Sequence, residues 1–219
     1  MRRLVLLLLA ACAASAQAAP DAPALDLKLA YYSRVRTPEG VTREARYEEQ
    51  MLRRPDHVWV ARVLPAAAAA PEGGHGHFNP VLLPRHVVNQ GGRLRLEYVD
   101  RKGREVIAIP PAEYANVGFD GSWTQAWYLL DPARVLTLPL SRRVSPVPGA
   151  QWREQEKAGR FERVLWDGAR QVPLVIESGD SAGNVLHRIE VSVLPRLEQR
   201  LPWLGLAGYA QKEYADFLD

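Results

Sequence analysis

Between Leu25 and Leu194 apolar residues recur at every second position in short runs, and proline, glycine or Asx residues close each run. A period of two puts successive side chains on opposite faces of an extended strand, whereas a helical face needs a period near 3.6. Leu25, Leu27, Leu29 and Tyr31 alternate with Asp26, Lys28 and Ala30. Thr37-Pro38-Glu39-Gly40 turns the chain into a more polar strand over Thr42–Arg53, and Arg54-Pro55-Asp56 turns it again into His57–Leu64. Three strands joined by tight turns predict an antiparallel meander. Seventeen prolines and sixteen glycines suit many short strands better than a helical bundle.

The pattern stops over 66–80, where an alanine run leads into Glu72-Gly73-Gly74-His75-Gly76-His77, read as a surface loop. It resumes at Arg93–Val99, with Leu94, Leu96 and Tyr98 on one face. Asp100–Gly103 turns that strand into 104–109. Further strands are expected at 151–157, 160–166, 172–178 and 185–194, divided by Ala158-Gly159, Asp167-Gly168 and the Gly179–Asn184 loop. Ser122 can cap a helix running to about Leu130, which places Trp123, Trp127 and Leu130 on one face. Tyr209–Leu218 reads as a short helix with an acidic end. The expectation is a mainly β fold: a curved antiparallel sheet, open or half barrel, with one or two helices on its concave side and a short C-terminal helix. At 219 residues one domain accounts for the chain. Its body is placed at 25–195 and a tail at 196–219.

The N-terminal segment reads as an export signal over residues 1–18, followed by a flexible lead-in over 19–24. Arg2 and Arg3 precede an apolar run through Ala14, and Ala16-Gln17-Ala18 supplies a small-x-small cleavage pattern. Leu9-Ala10-Ala11-Cys12 also resembles a lipoprotein box. Two fates therefore stand: a free periplasmic protein cleaved near Ala18, or a chain lipidated at Cys12 and anchored to the outer membrane. Cys12 is the only cysteine, so no intramolecular disulfide is available and packing must supply the stability. The net charge of +3 drops to +1 without Arg2 and Arg3, which removes the case for a nucleic-acid partner.

Motifs that suggest chemistry have plainer readings. Gly179-Asp180-Ser181-Ala182-Gly183 matches the G-x-S-x-G pattern, but a nucleophile elbow needs a helix after the serine and a strand is expected there. Glu48 and Glu49 fall on opposite faces of a strand and cannot converge as an acid–base pair. His75 and His77, with His86, form a candidate metal site that lacks a fixed further ligand; a solvated loop is the plainer reading. Trp123 and Trp127 either pack in the core or line a cavity. No catalytic residue and no cofactor are expected.

Two stretches are similar to the periplasmic lipoprotein-carrier (LolA-like) superfamily, which includes a periplasmic regulator of the envelope-stress sigma factor. One runs from Arg163-Val164-Leu165-Trp166-Asp167 through Val172-Pro173-Leu174-Val175-Ile176-Glu177 and Gly183 to Ile189-Glu190-Val191. The other runs from Gly40 through Arg53-Arg54-Pro55 to Val63-Leu64-Pro65. The resemblance implies a half-barrel with helices over an apolar concave side, binding acyl chains, lipids or lipidated proteins without catalysis. Trp123, Trp127, Leu130, Leu94, Leu96 and Tyr98 are the candidates to line that cavity. The rival readings are an envelope interaction module that docks a partner protein through its edge strands or C-terminal tail, and a metal-handling protein using the His75/His77 loop.

Overall fold

The computed structural model describes residues 22–64 and 78–217. One eleven-stranded sheet, non-closed and strongly curved, carries the architecture in the order β11-β6-β5-β4-β3-β2-β1-β10-β9-β8-β7. The first meander comprises β1 (Leu25–Arg36), β2 (Thr42–Arg54), β3 (His57–Arg62), β4 (Arg85–Gln90), β5 (Arg93–Asp100) and β6 (Glu105–Ile109). The second comprises β7 (Ala150–Lys157), β8 (Arg160–Asp167), β9 (Val172–Asp180) and β10 (Val185–Val193). Antiparallel pairing of β1 with β10, Leu29 opposite Val191, fuses the two.

The turns follow from local chemistry. Gly91 and Gly92 (φ 58° and 77°) and Ala158 and Gly159 (φ 52° and 71°) give two-residue hairpins with both central residues left-handed, the geometry that matches strand twist. α1 (Trp123–Tyr128) starts where Ser122 Oγ accepts the Gln125 N–H at 3.1 Å. It stops short of Leu130 because Leu129 turns to φ 67°, and Asp131 then caps α2 (Pro132–Thr137) through the Ala133 N–H at 2.8 Å. Leu130 therefore lies in the link between two helices. A 3-10 helix at Pro111–Val117 completes the concave cover.

The tail differs from the helix expected over Tyr209–Leu218. Ala210–Glu213 is a parallel strand, β11, on the free edge of β6, and only Tyr214–Phe217 turns, as a 3-10 helix. An open sheet edge offers a row of backbone partners that four isolated helical residues cannot match.

The main core lies on the concave face, where Leu27, Leu29, Met51, Val58, Val87, Leu96 and Ile107 meet Trp127, Tyr114 and Phe119 from the cover. A second cluster joins α2 to β8 through Val135, Leu138, Val164 and Trp166. A third sits on the convex face, where Trp59, Val99 and Val106 lie under Trp203, Leu206 and Tyr209 of the tail. Asp26 points to that convex side and is buried there. Arg54 meets it at 2.6 Å, and the Glu198 N–H donates to it at 2.5 Å, which fixes the start of the tail.

One end of the half-barrel is closed around Arg53, which is 0% exposed. Its guanidinium donates to the carbonyl oxygens of Pro23 (3.1 Å), Trp127 (3.2 Å), Gln171 (3.3 Å) and Arg170 (2.9 Å). The lead-in, α1 and the β8–β9 hairpin thus meet on one cation, which also lies 5.1 Å from the Trp127 ring centre. Among the described residues no helix is long and apolar enough to cross a membrane.

Candidate functional site

Burial along the inward face changes from one end of the barrel to the other. On β1, Leu25, Leu27 and Leu29 are buried, Tyr31 is half-buried and Val35 is exposed. On β2, Arg53 and Met51 give way to half-buried Glu49 and Tyr47, and on β9 buried Val172 gives way to half-buried Leu174, Ile176 and Ser178. The end opposite Arg53 is open.

Two concavities occupy this open half. A cleft of about 720 Å³ lies between the helical cover and the second meander, with Leu130 and Arg134 on one wall and Ile176, Ser178, Val185 and His187 on the other. Arg134 reaches over to both carboxylate oxygens of Glu162 at 3.0 Å. A smaller cavity of about 280 Å³ lies over the first meander. The register connects them, since Tyr31 lies opposite Ile189 and Ile189 opposite Ile176.

The smaller cavity is lined by a polar belt that crosses five adjacent strands. Tyr31 lies opposite Tyr47, Glu49 opposite Arg62, and Arg85 opposite Tyr98. Tyr31 and Tyr47 stack at 4.4 Å between ring centres, and the Arg62 guanidinium sits 3.7 Å from the centre of the Tyr47 ring. Burial, then the nearby Glu49 carboxylate, pushes the Tyr31 phenol well above its ordinary range; the same two causes raise Tyr47. Burial also raises Tyr98. All three phenols therefore stay protonated at neutral pH and can donate hydrogen bonds.

The residues singled out from the sequence separate into three groups. Leu96, Tyr98 and Trp127 belong to the main core, with Leu94 and Trp123 packed against it, and Tyr98 also lines the smaller cavity. Leu130 packs with the α2 cluster and lines the larger cleft. His86 lies on the convex face, where its Nε2 meets His57 Nδ1 at 3.0 Å and its Nδ1 meets Glu97 at 3.2 Å beneath Trp203. His75, His77 and Cys12 lie outside the described residues. Among the described residues no group of three or more potential ligands is placed to hold a metal ion.

Ser181 sits in an exposed turn between β9 and β10, so a strand follows it, and its hydroxyl bonds Glu156 at 2.5 Å. Glu48 faces outward to Lys28 at 2.8 Å, while Glu49 faces the inner belt. The belt residues Tyr31, Tyr47, Glu49, Arg62 and Arg85 were not among the sequence candidates. Their signal is register: Glu49 shares the inward face of Met51 and Arg53, and Arg62 that of Val58 and Val60. A charge at an inward position of a curved strand breaks the alternation.

No protein-family model matches the chain, and no curated protein matches it significantly in sequence. Among solved structures it superposes on PNGF-II in a C2 crystal form, with TM-score 0.40 and 6% identity over 88% of this chain and 32% of that one. The chain thus spans about a third of PNGF-II, 32% of its length. It also superposes on a LolA superfamily protein from Nitrosomonas europaea, with TM-score 0.36 and 10% identity over 81% and 89% of the two chains. A third likeness is to the MucA/MucB complex of Pseudomonas aeruginosa, with TM-score 0.37 and 12% identity over 80% of this chain and 54% of that one.

Proposed function

We propose that the protein is a non-enzymatic binding protein of the bacterial periplasm that holds an amphipathic ligand, a lipid or the acyl chain of a lipidated protein, on the open half of its concave face. One observation carries this reading: the inner face is packed solid at the Arg53 end and open at the other, where clefts of about 720 and 280 Å³ lie on either side of half-buried Ile189, which pairs with Tyr31 of one and Ile176 of the other. The larger volume falls within the usual ligand range of about 300–1,000 Å³. Apolar area covered there contributes roughly 25 cal/mol per Å². The export signal read over residues 1–18 supports the compartment, with anchoring through Cys12 as the alternative tether.

Native mass spectrometry and lipid extraction of detergent-free protein test the reading. A stoichiometric extractable lipid is expected, and Ile176→Glu, which places a charge on the cleft wall, is expected to abolish its retention while leaving the fold intact. Protein that carries no lipid and fails to bind a fluorescent fatty acid would refute the proposal.

A further inference from the structure

The polar belt at the smaller cavity holds two guanidinium groups, Arg62 and Arg85, and one carboxylate, Glu49. Among the described residues neither arginine forms an ion pair, so Glu49 offsets at most one positive charge and the belt keeps a net cation. Arg85 Nε is buried and lacks a hydrogen-bond partner. Buried donors are nearly always satisfied, so Arg85, which lines the cavity, keeps hydrogen-bonding capacity that the fold does not use. The Arg62 guanidinium lies 3.7 Å from the centre of the Tyr47 ring, and it forms no ion pair among the described residues. The protonated Tyr47 phenol adds a neutral donor to the same lining, while that of Tyr31 is engaged by Glu49.

We infer that this belt is an anion site that takes the carboxylate or phosphate of the ligand, with Arg62 and Arg85 as its cationic donors. The inference rests on the proposed binding of an amphipathic molecule on the concave face and specifies its head. A planar guanidinium fork matches the paired oxygens of either group and forms charge-assisted bonds. The volumes divide the labour: about 280 Å³ suits a head group, and the Tyr31–Ile189–Ile176 row leads a chain onward into the cleft of about 720 Å³. Glu49 faces the Tyr31 side of the belt and offsets one of its two positive charges.

The test compares cis-parinaric acid with its uncharged methyl ester by fluorescence titration, on the wild type and on the double variant Arg62→Gln/Arg85→Gln. The wild type is expected to prefer the acid by about tenfold or more, as one desolvated charge-assisted pair requires. The double variant should lose that preference, its affinity for the acid falling to that for the ester. Displacement of the acid by millimolar inorganic phosphate supports the site with a free anion as its occupant, and a preference that phosphate leaves untouched supports a lipid head. Equal wild-type affinity for acid and ester overturns the inference while leaving a hydrophobic ligand in place, even where the variant fails to fold. Preference retained by a folded double variant overturns it as well. Binding of neither probe removes the ligand reading and the inference together.

Discussion

Replacing Arg53 with methionine should cost the protein a large part of its stability. The guanidinium stays charged, because burial lowers its pKa only to about 10. The substitution strands four carbonyl acceptors: that of Trp127, reached through a buried bond, and those of Pro23, Arg170 and Gln171, which are partly buried. A buried acceptor left without a partner costs about 1–3 kcal/mol, and partly buried ones, which water can reach, roughly 0.5–1 kcal/mol each. The cation–π contact with Trp127 adds about 1 kcal/mol. Against this, methionine avoids the desolvation of a buried charge, which commonly offsets part of such a network. The net expectation is a loss of about 3–4 kcal/mol. With a urea m-value of about 2–3 kcal/mol/M for a chain of this size, the midpoint should fall by about 1–2 M. Arg53→Lys, which keeps the charge but has fewer donors, should fall between the two. A methionine variant that unfolds within 0.5 M of wild type, about 1 kcal/mol on that slope, would refute this. The guanidinium's desolvation would then have consumed what its four bonds supply.

The same packing sets four further outcomes. Leu29→Ala in the solid half should cost about 3–4 kcal/mol, while Ile189→Ala in the open half should cost under about 1.5 kcal/mol but weaken fatty-acid binding; similar costs on urea melts would deny that the two halves differ. Gly179→Ala should lower stability by about 1–3 kcal/mol, because the added methyl would meet the Val185 carbonyl oxygen and come within 2.8 Å of the Phe161 ring; a neutral melt would contradict that close approach. The His57 pKa is depressed below 6.5, first by burial and then by His86, so the unfolded chain takes up protons that the fold refuses and stability falls as pH drops below about 6.5. Burial alone would raise Glu97, but the His86 hydrogen bond and neighbouring positive charges hold it below 4.5, so its contribution is present above about pH 4.5 and lost on further acidification. Trp203, stacked 5.0 Å from His57, should report the first loss by fluorescence, and a urea midpoint unchanged from about pH 7.5 to 5.5 would contradict it.

Where one strand face meets water, the sequence is readable. Leu25, Leu27 and Leu29 alternate with Lys28 outside, and the strands of the second meander fall within two residues of their expected bounds. Arg85–Gln90 escapes for a physical reason: Val87 faces the concave core while His86 and Val88 are buried from the convex side, so alternation disappears. The Gly91-Gly92 turn was the remaining cue. Ala210–Glu213 has little strand character of its own and becomes a strand only through β6, a tertiary effect that local propensity does not contain. His86 illustrates the same limit at the level of sites. Its partners His57, Glu97 and Trp203 come from two other strands and the tail, and sequence proximity to His75 and His77 said nothing of them.

The belt shows why the two halves of the barrel belong together. At Glu49, Arg62 and Arg85 the inward positions continue rows that elsewhere hold Met51, Val60 and Val87, and valine or leucine there would extend the core. Charges at those points reduce apolar burial, and Arg85 Nε gives up a hydrogen bond as well. The fold can carry that cost because the opposite end is closed by a solid apolar layer and by the carbonyl cluster on Arg53. A chain that needed only stability would repeat the closed end. Local departures from the packing pattern, compensated at a distance, are where binding function is to be sought. Substituting Arg62 and Arg85 together with leucine should therefore raise the melting temperature while removing the preference for an acidic ligand. A variant that loses both stability and preference would show instead that the belt belongs to the core.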